Sequence, residues 1–333
     1  MTSKKKINTS KKKLQTILVT GGSGYIGGMV CILLVEAGYN VINIDRVKRE
    51  IPGVKQYVID INDNNLHKII IKNSPFAIMH FAADHEVGKS VTDPNEFYNN
   101  NVAHTFNLLN LVIKCNIKNF IFSSTSAVYG DINLFPTTEK TPKAPISPYG
   151  KSKSMIEDAL VDYANAYDFK YVALRYFNAA GASPDLKHGY TQSPANHIVP
   201  VVAQKILSGK TIEIFGNDFD TNDGTTERDY IHVYDIATAH LCALSYLNKG
   251  MPSEIFNIGA NRPNSVLEIV EAFKKVTNKK ISYKFVNRRP GDTPKTWADS
   301  SKAEKLLDWK PCYSLNDIVK HAFLWEEQKG SHK

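Results

Sequence analysis

The sequence predicts an α/β fold, a doubly wound parallel sheet followed by a smaller C-terminal α/β lobe, and three observations carry that prediction. From Gln15 onward, short apolar runs of strand length alternate with amphipathic stretches, the pattern of βαβ units. The first run ends in a Gly-rich loop, Gly21-Gly22-Ser23-Gly24-Tyr25-Ile26-Gly27, which opens a helical pattern. The second run ends in an acid, Asp45.

Taken in order, 16–20 (TILVT) reads as a buried strand, 25–37 as a helix and 41–45 as the next strand. A third strand precedes Asp60-Ile61, a fourth covers 76–82, and a long helix is expected near 95–115. Strand 119–124, helix 149–167 and strand 170–176 complete the series. Beyond Asn178 the pattern becomes irregular, with loop-rich stretches at 182–197 and 216–228, and is assigned to the second lobe. The predicted organisation is a basic leader over 1–13, a Rossmann-type dinucleotide-binding domain over 14–177 with return segments near 232–260, and a substrate lobe over most of 178–333.

Composition narrows the function classes. With 42% hydrophobic and 22% charged residues in 333, the chain can bury a sizeable core and is not disordered throughout. Four scattered cysteines provide neither a disulfide framework nor a paired zinc motif, so no metal and a reducing, cytoplasmic setting are expected. No apolar run approaches the roughly 18 to 20 residues that span a bilayer, and none precedes Leu14, so neither a membrane span nor a secretory leader is expected. The net charge of +8 invites a nucleic-acid reading, but six lysines lie within residues 1–13 without an acid, leaving +2 for the rest. That leader is expected to be a solvated, disordered tail, and no nucleic-acid partner is expected.

The Gly-rich loop suits a phosphate. Gly21, Gly24 and Gly27 let the backbone turn tightly and approach a pyrophosphate, with the amides of Tyr25 and Ile26 at a helix N-terminus facing the anion. Asp45 is placed to accept from ribose hydroxyls and to repel a 2′-phosphate, which favours NAD over NADP, with Arg46 beside it pulling the other way. Asp60 and Ile61 are placed to touch the adenine, and Phe81-Ala82-Ala83, after the fourth strand, are small enough for a cofactor to lie close.

Tyr149 and Lys153, four residues apart at the start of a helix, project from one face. A free phenol titrates near ~10, and a fixed ammonium together with a positive nicotinamide ring favours the phenolate, which turns Tyr149 into a base. The preceding strand ends in Ser123-Ser124-Thr125-Ser126, a hydroxyl cluster at the carboxyl end of a central strand, where α/β sheets bind ligands. Thr125 can share a proton between a substrate hydroxyl and Tyr149.

With these residues in view, the chain resembles the extended short-chain dehydrogenase/reductases and, within them, the UDP-glucose 4-epimerase family, from about Ile17 to Trp325. The most specific stretches are TGGSGYIG (20–27), SPYGKSK (147–153), LRYFN (174–178), IFGNDF (214–219) and RDYIHV (228–233). NIGA (257–260) and RRPGD (288–292) complete the set.

The resemblance implies that Tyr149 takes the proton from the sugar 4-hydroxyl, that Thr125 relays it, and that Lys153 holds the nicotinamide ribose and lowers the tyrosine pKa. It implies a resident NAD, with Phe81, Asn100 and Phe177 against it, and a UDP-sugar substrate. Asn178, Asn196, Arg228, Arg289 and Asp292 would hold the nucleotide, with Phe215 against the uracil and Glu213 beside it. It also implies a homodimer formed through the helices near 95–115 and 149–167.

Three positions depart from the best-known bacterial pattern. Thr125 replaces a serine and keeps the hydroxyl, whereas His85 stands where a lysine approaches the nicotinamide end. Thr296 replaces a bulky tyrosine that limits room beside the sugar 2-position, which implies acceptance of UDP-GlcNAc and UDP-GalNAc besides UDP-Glc and UDP-Gal. The rival readings are a UDP-glucuronate 4-epimerase or decarboxylase, a sugar 4,6-dehydratase, and a non-catalytic NAD-binding regulator. Ser126-Ala127 after Thr125 lack the acid pair a dehydratase needs, and retention of Tyr149, Lys153 and Thr125 argues against the regulator.

Overall fold

A computed structural model describes residues 14–131, 134–289 and 291–331. The lysine-rich leader over 1–13 lies outside the described residues.

The first half of the chain builds β1 (Thr16–Thr20), α1 (Tyr25–Glu36), β2 (Asn40–Asp45), β3 (Val54–Val58), α2 (Leu66–Asn73) and β4 (Ala77–His80). Short helices α3 (Val87–Thr92) and α4 (Pro94–Tyr98) follow, then α5 (His104–Lys114), β5 (Asn119–Thr125), α6 (Pro148–Ala166) and β6 (Lys170–Tyr176). Strands β1, β4, β5 and β6 are buried along nearly their whole length because both faces of a parallel sheet are covered by helices, whereas β3, at the sheet edge, is not. The single helix expected near 95–115 is instead α4 and α5 joined by a π-helical turn, Asn99–Ala103. Three consecutive asparagines have poor helix propensity, and here the side chains of Asn100 and Asn101 bond laterally. Asn101 accepts from the Asp84 N–H and donates to its carbonyl, both at 2.8 Å, and Asn100 donates to the Asp84 carboxylate.

The second half contributes β7 (Asn178–Ala180), α7 (Ile198–Leu207), β8 (Ile212–Phe215), β9 (Glu227–His232), α8 (Val233–Asn248), β10 (Glu254–Ile258) and β11 (Pro263–Ser265). It ends with α9 (Val266–Thr277), β12 (Tyr283–Val286), β13 (Lys295–Thr296), α10 (Ser301–Leu307) and α11 (Leu315–Ser331). The chain returns to the first sheet here, since β10 pairs with β6 and α8 packs on α1.

The main sheet is seven-stranded, all parallel, in the order β10-β6-β5-β4-β1-β2-β3. Its direction of winding reverses between β1 and β4, and a crevice opens at their carboxyl ends, where such sheets bind ligands. One core lies beneath α1 and α8, a second beneath α2, α5 and α6, and a third joins α7, α9 and α11 in the smaller lobe. The lobe's own sheets are short, β11-β9-β13 with β7 also on β9, and β8 beside β12.

Candidate active site

A continuous cleft of about 690 Å³ runs along the carboxyl edge of the main sheet and under the smaller lobe. At one end Gly21, with φ +77°, turns the chain from β1 into α1, and a Cβ there would strike the backbone of Phe81 and Ala82. Helix α1 has no side-chain cap at Gly24 and no acid in its first turn, so its N-terminal amides and dipole are available to an anion. Asp45 is fixed at the end of β2 by N–H donors from Ser23 and Val47, both at 2.9 Å, and lines the same space. A glycine cradle, an uncapped helix start and a clamped carboxylate fit a dinucleotide whose ribose carries a free hydroxyl.

The reactive groups stand at the middle of the cleft. Ser147 caps α6 by accepting the Gly150 N–H at 3.1 Å, and Pro148 begins the first turn, which places Tyr149 at the cleft wall. Thr125 ends β5; its hydroxyl accepts the Ala127 N–H at 3.1 Å and hydrogen-bonds to Tyr149. Since Ala127 already donates to Thr125, the threonine's own hydrogen is free for the tyrosine oxygen. Burial raises the Tyr149 pKa and the Thr125 hydrogen bond draws it down.

Lys153, one turn on, is buried and donates to the Ser123 carbonyl at 2.9 Å, with its ammonium 4.9 Å from the Phe122 ring centre. Burial pushes its pKa down to about 7, and the carboxylates of Glu157 and Asp84 oppose that fall. In the protein alone, then, burial acts on both members of the Tyr149/Lys153 pair against the charged forms that base chemistry uses.

Behind these groups lies a sealed polar network. Glu157 takes two hydrogen bonds from Arg175, at 2.9 and 2.5 Å, and one from Ser124 at 2.5 Å. Arg175 also donates to the Tyr129 hydroxyl at 2.9 Å, which donates to Asn257 at 2.6 Å. The network ties α6, β5, β6 and β10 together directly beneath Thr125.

Every residue expected from the sequence to touch the cofactor lines the cleft: Gly21, Gly24, Tyr25, Ile26, Gly27, Asp45, Asp60, Ile61, Phe81, Ala82, Ala83, Asn100, Tyr149, Lys153 and Phe177. Of those expected at the substrate, Thr125, Asn178, Arg228 and Thr296 line it too. Asn196, Glu213, Phe215, Arg289 and Asp292 do not, and each is engaged elsewhere. Asn196 bonds Tyr190, Glu213 pairs with Lys284 at 2.9 Å, Arg289 lies 3.8 Å over the Phe215 ring, and Asp292 stands 4.0 Å from Arg228. Arg228 donates to the carbonyl of Glu227 at 2.9 Å.

The sequence reading missed Tyr190, Gln192 and His197 on the cleft wall. His197 immediately precedes α7, a position visible in the sequence as the last residue before an apolar helical run. His85, in place of the family's lysine, lines the cleft and stacks with His197 at 6.1 Å, while Glu86 accepts from Gln192 at 2.7 Å. These two contacts join the loop after β4 to the smaller lobe.

Residues 17–259 match the model of the NAD dependent epimerase/dehydratase family. The chain is 41% identical over 319 residues to a UDP-glucose 4-epimerase of Halalkalibacterium halodurans, covering 94% of this chain and 96% of that protein. The fold superposes with a TM-score of 0.88 on the UDP-glucose 4-epimerase of Bifidobacterium longum in complex with NAD+ and UDP, at 35% identity over 96% of this chain and 100% of that one. It superposes with a TM-score of 0.82 on the UDP-Glc/GlcNAc 4-epimerase of Campylobacter jejuni, at 37% identity over 94% and 99% of the two chains.

Proposed function

The chain belongs to the NAD dependent epimerase/dehydratase family and, on that premise, we infer that it catalyses the NAD-dependent interconversion of UDP-glucose and UDP-galactose. The observation that carries this reading is that the Thr125–Tyr149–Lys153 group and the glycine cradle with Asp45 share one cavity. NAD held by the Gly21–Gly27 loop, Asp45 and Lys153 would supply the oxidising and reducing power for reversible oxidation at the sugar C4.

The chain's own residues do the rest. Tyr149 removes the 4-hydroxyl proton through Thr125 and gives it back after the 4-keto sugar has turned. Lys153 in its ammonium form stabilises the phenolate that Tyr149 must be in order to take that proton. The Gly21–Gly27 loop and Asp45 hold the dinucleotide, with Phe81, Asn100 and Phe177 along it. Arg228 and Asn178 anchor the part of the substrate that must not rotate, and Arg289, Phe215, Glu213, Asn196 and Asp292 close on the nucleotide from outside the cleft. Guanidinium groups suit a pyrophosphate because they present fixed, paired donors. Incubating the purified protein with UDP-galactose and no added NAD tests the reading: UDP-glucose should form, and its absence even with NAD supplied would contradict it.

Thr296 extends the reading to sugars with a 2-acetamido group. It faces the cleft with a small side chain, and the similar Campylobacter jejuni protein is described as acting on both UDP-Glc and UDP-GlcNAc. Removing bulk relaxes steric discrimination. Turnover of UDP-N-acetylgalactosamine by the wild type, lost in Thr296→Tyr, is the expected result; its absence in the wild type would end this extension. Assembly as a homodimer through α4, α5 and α6 belongs to the same reading, supported by Met155 and Val161 exposed on α6. Light scattering tests it, with a monomer as the contrary result. A cytoplasmic setting is supported by four free cysteines.

A further inference from the structure

Strand β13 is two residues long and lies at the edge of its sheet, with Thr296 opposite Arg228 on β9. So short an edge strand has too few ladder hydrogen bonds to fix its own register, yet it carries the side chain that borders the sugar. Two features outside the cleft hold it.

The first is Asp229, which is fully buried and has no salt-bridge partner among the described residues. Its two carboxylate oxygens accept the Ala298 N–H at 3.1 Å and the Ala260 N–H at 2.7 Å, and the Asn261 N–H also donates to it. A single carboxylate between Arg228 and Tyr230 therefore binds the segment that follows Thr296 to the turn after β10. That turn packs so closely that a Cβ on Gly259 would meet both the Asp229 carboxylate and the Ala298 side chain. Burial pushes the Asp229 pKa up to about 7, and the three amide donors oppose that rise because they bond an ionised acceptor about twice as strongly as a neutral one.

The second is the loop around Phe135. Its ring stacks on Trp297, the neighbour of Thr296, with centres 4.7 Å apart and planes 20° from parallel. Thr137 donates its N–H to the Trp297 carbonyl at 2.9 Å and accepts the Asp299 N–H at 2.8 Å. Thr296 thus faces the cleft while Trp297 faces this loop.

We propose that Asp229 and Phe135 are specificity-positioning residues: from opposite sides they fix the place of the Lys295–Thr296 strand and so set the room beside the sugar. Neither lines the cleft. The proposal rests on the reading of Thr296 as the sugar-facing residue, and the test separates the two.

The test uses the full-length protein in wild-type, Phe135→Ala, Asp229→Asn and Thr296→Tyr forms. For each, kcat and KM are measured with UDP-galactose and with UDP-N-acetylgalactosamine, together with retained NAD by absorbance and the melting temperature. Loosening the strand should raise the ratio of kcat/KM for the acetamido sugar over the plain sugar by about fivefold in Phe135→Ala, and by more in Asp229→Asn. Retained NAD should be unchanged, and in Phe135→Ala the kcat for UDP-galactose should stay near wild type. A role in folding alone would lower the melting temperature and leave the ratio where it was; that result in both variants overturns the proposal. If Asp229→Asn does not fold, Phe135→Ala decides by itself. A ratio that responds to Thr296→Tyr but to neither other variant leaves the Thr296 reading intact and removes this one. A ratio indifferent to Thr296→Tyr removes both.

Discussion

At the dinucleotide end of the cleft, recognition is made by backbone and by one clamped carboxylate. Gly21 is forced into its turn by the chain behind it, helix α1 starts uncapped, and Asp45 is held by two amides. At the sugar-nucleotide end the expected groups are long side chains, and several already hold one another: Arg289 on Phe215, Glu213 on Lys284, Asp292 near Arg228. The first end is preorganised by the fold, whereas the second, on the proposed reading, would exchange internal contacts for ligand contacts. Substitutions at the first end should therefore act through loss of the cofactor, and at the second through KM.

The largest effect belongs to the chemistry between the two ends. Tyr149→Phe should lower kcat by roughly a thousandfold or more while NAD stays bound, because it removes only the proton-transfer group. Near-normal kcat would show that another residue is the base.

Next comes the frame both ends share. Glu157→Ala leaves Arg175 buried without its partner, and loss of one member of a buried pair costs about 3 to 5 kcal/mol. Chemical denaturation reads this directly, and a cost below about 1 kcal/mol, the range of a surface pair, would mean the network is relaxed by water.

The contrast itself is probed by Gly21→Ala and Arg228→Ala. The first should yield protein purified without NAD, since the added methyl has backbone on its path. The second should retain NAD and raise the KM for UDP-galactose by about ten- to a hundredfold, the worth of a charge-assisted hydrogen bond or two. Full NAD retention in Gly21→Ala would break the comparison.

A further effect acts on the fold as a whole and not through either end. Burial holds His80 and His232 down to about 3 and His188, His197 and His240 down to about 4, against an ordinary 6.5. Below about 6.5 the unfolded chain takes up protons that the folded chain refuses, so stability is full above that pH and falls as acid is added toward the folded values. Thermal melts should decline steadily between about pH 6.5 and 4; a flat melting temperature there would contradict the assignment.

The same contrast explains what was legible in the sequence. Strands β1, β5 and β6 stand where their continuous apolar runs placed them, because burial on both faces leaves no competing pattern. The glycine loop and Asp45 are contiguous or one strand apart, so local spacing suffices. The broken helix at Asn99–Ala103 was not legible, since lateral asparagine bonds to Asp84 need the fold to exist first. Nor were the short strands β7, β8, β11 and β13, of two to four residues, which carry no period of their own. Tyr190 and His197 reach the cleft from an irregular loop, and chain order says little about where such a loop folds back.

On the proposed reading one cavity holds a dinucleotide and a sugar C4 beside Tyr149, so that the hydrogen at C4 leaves and returns without meeting water. UDP-galactose carrying deuterium at C4, incubated with the purified protein in ordinary water, tests this most directly. The expected product is UDP-glucose that retains the deuterium at C4. Product with the label washed out to solvent would contradict it.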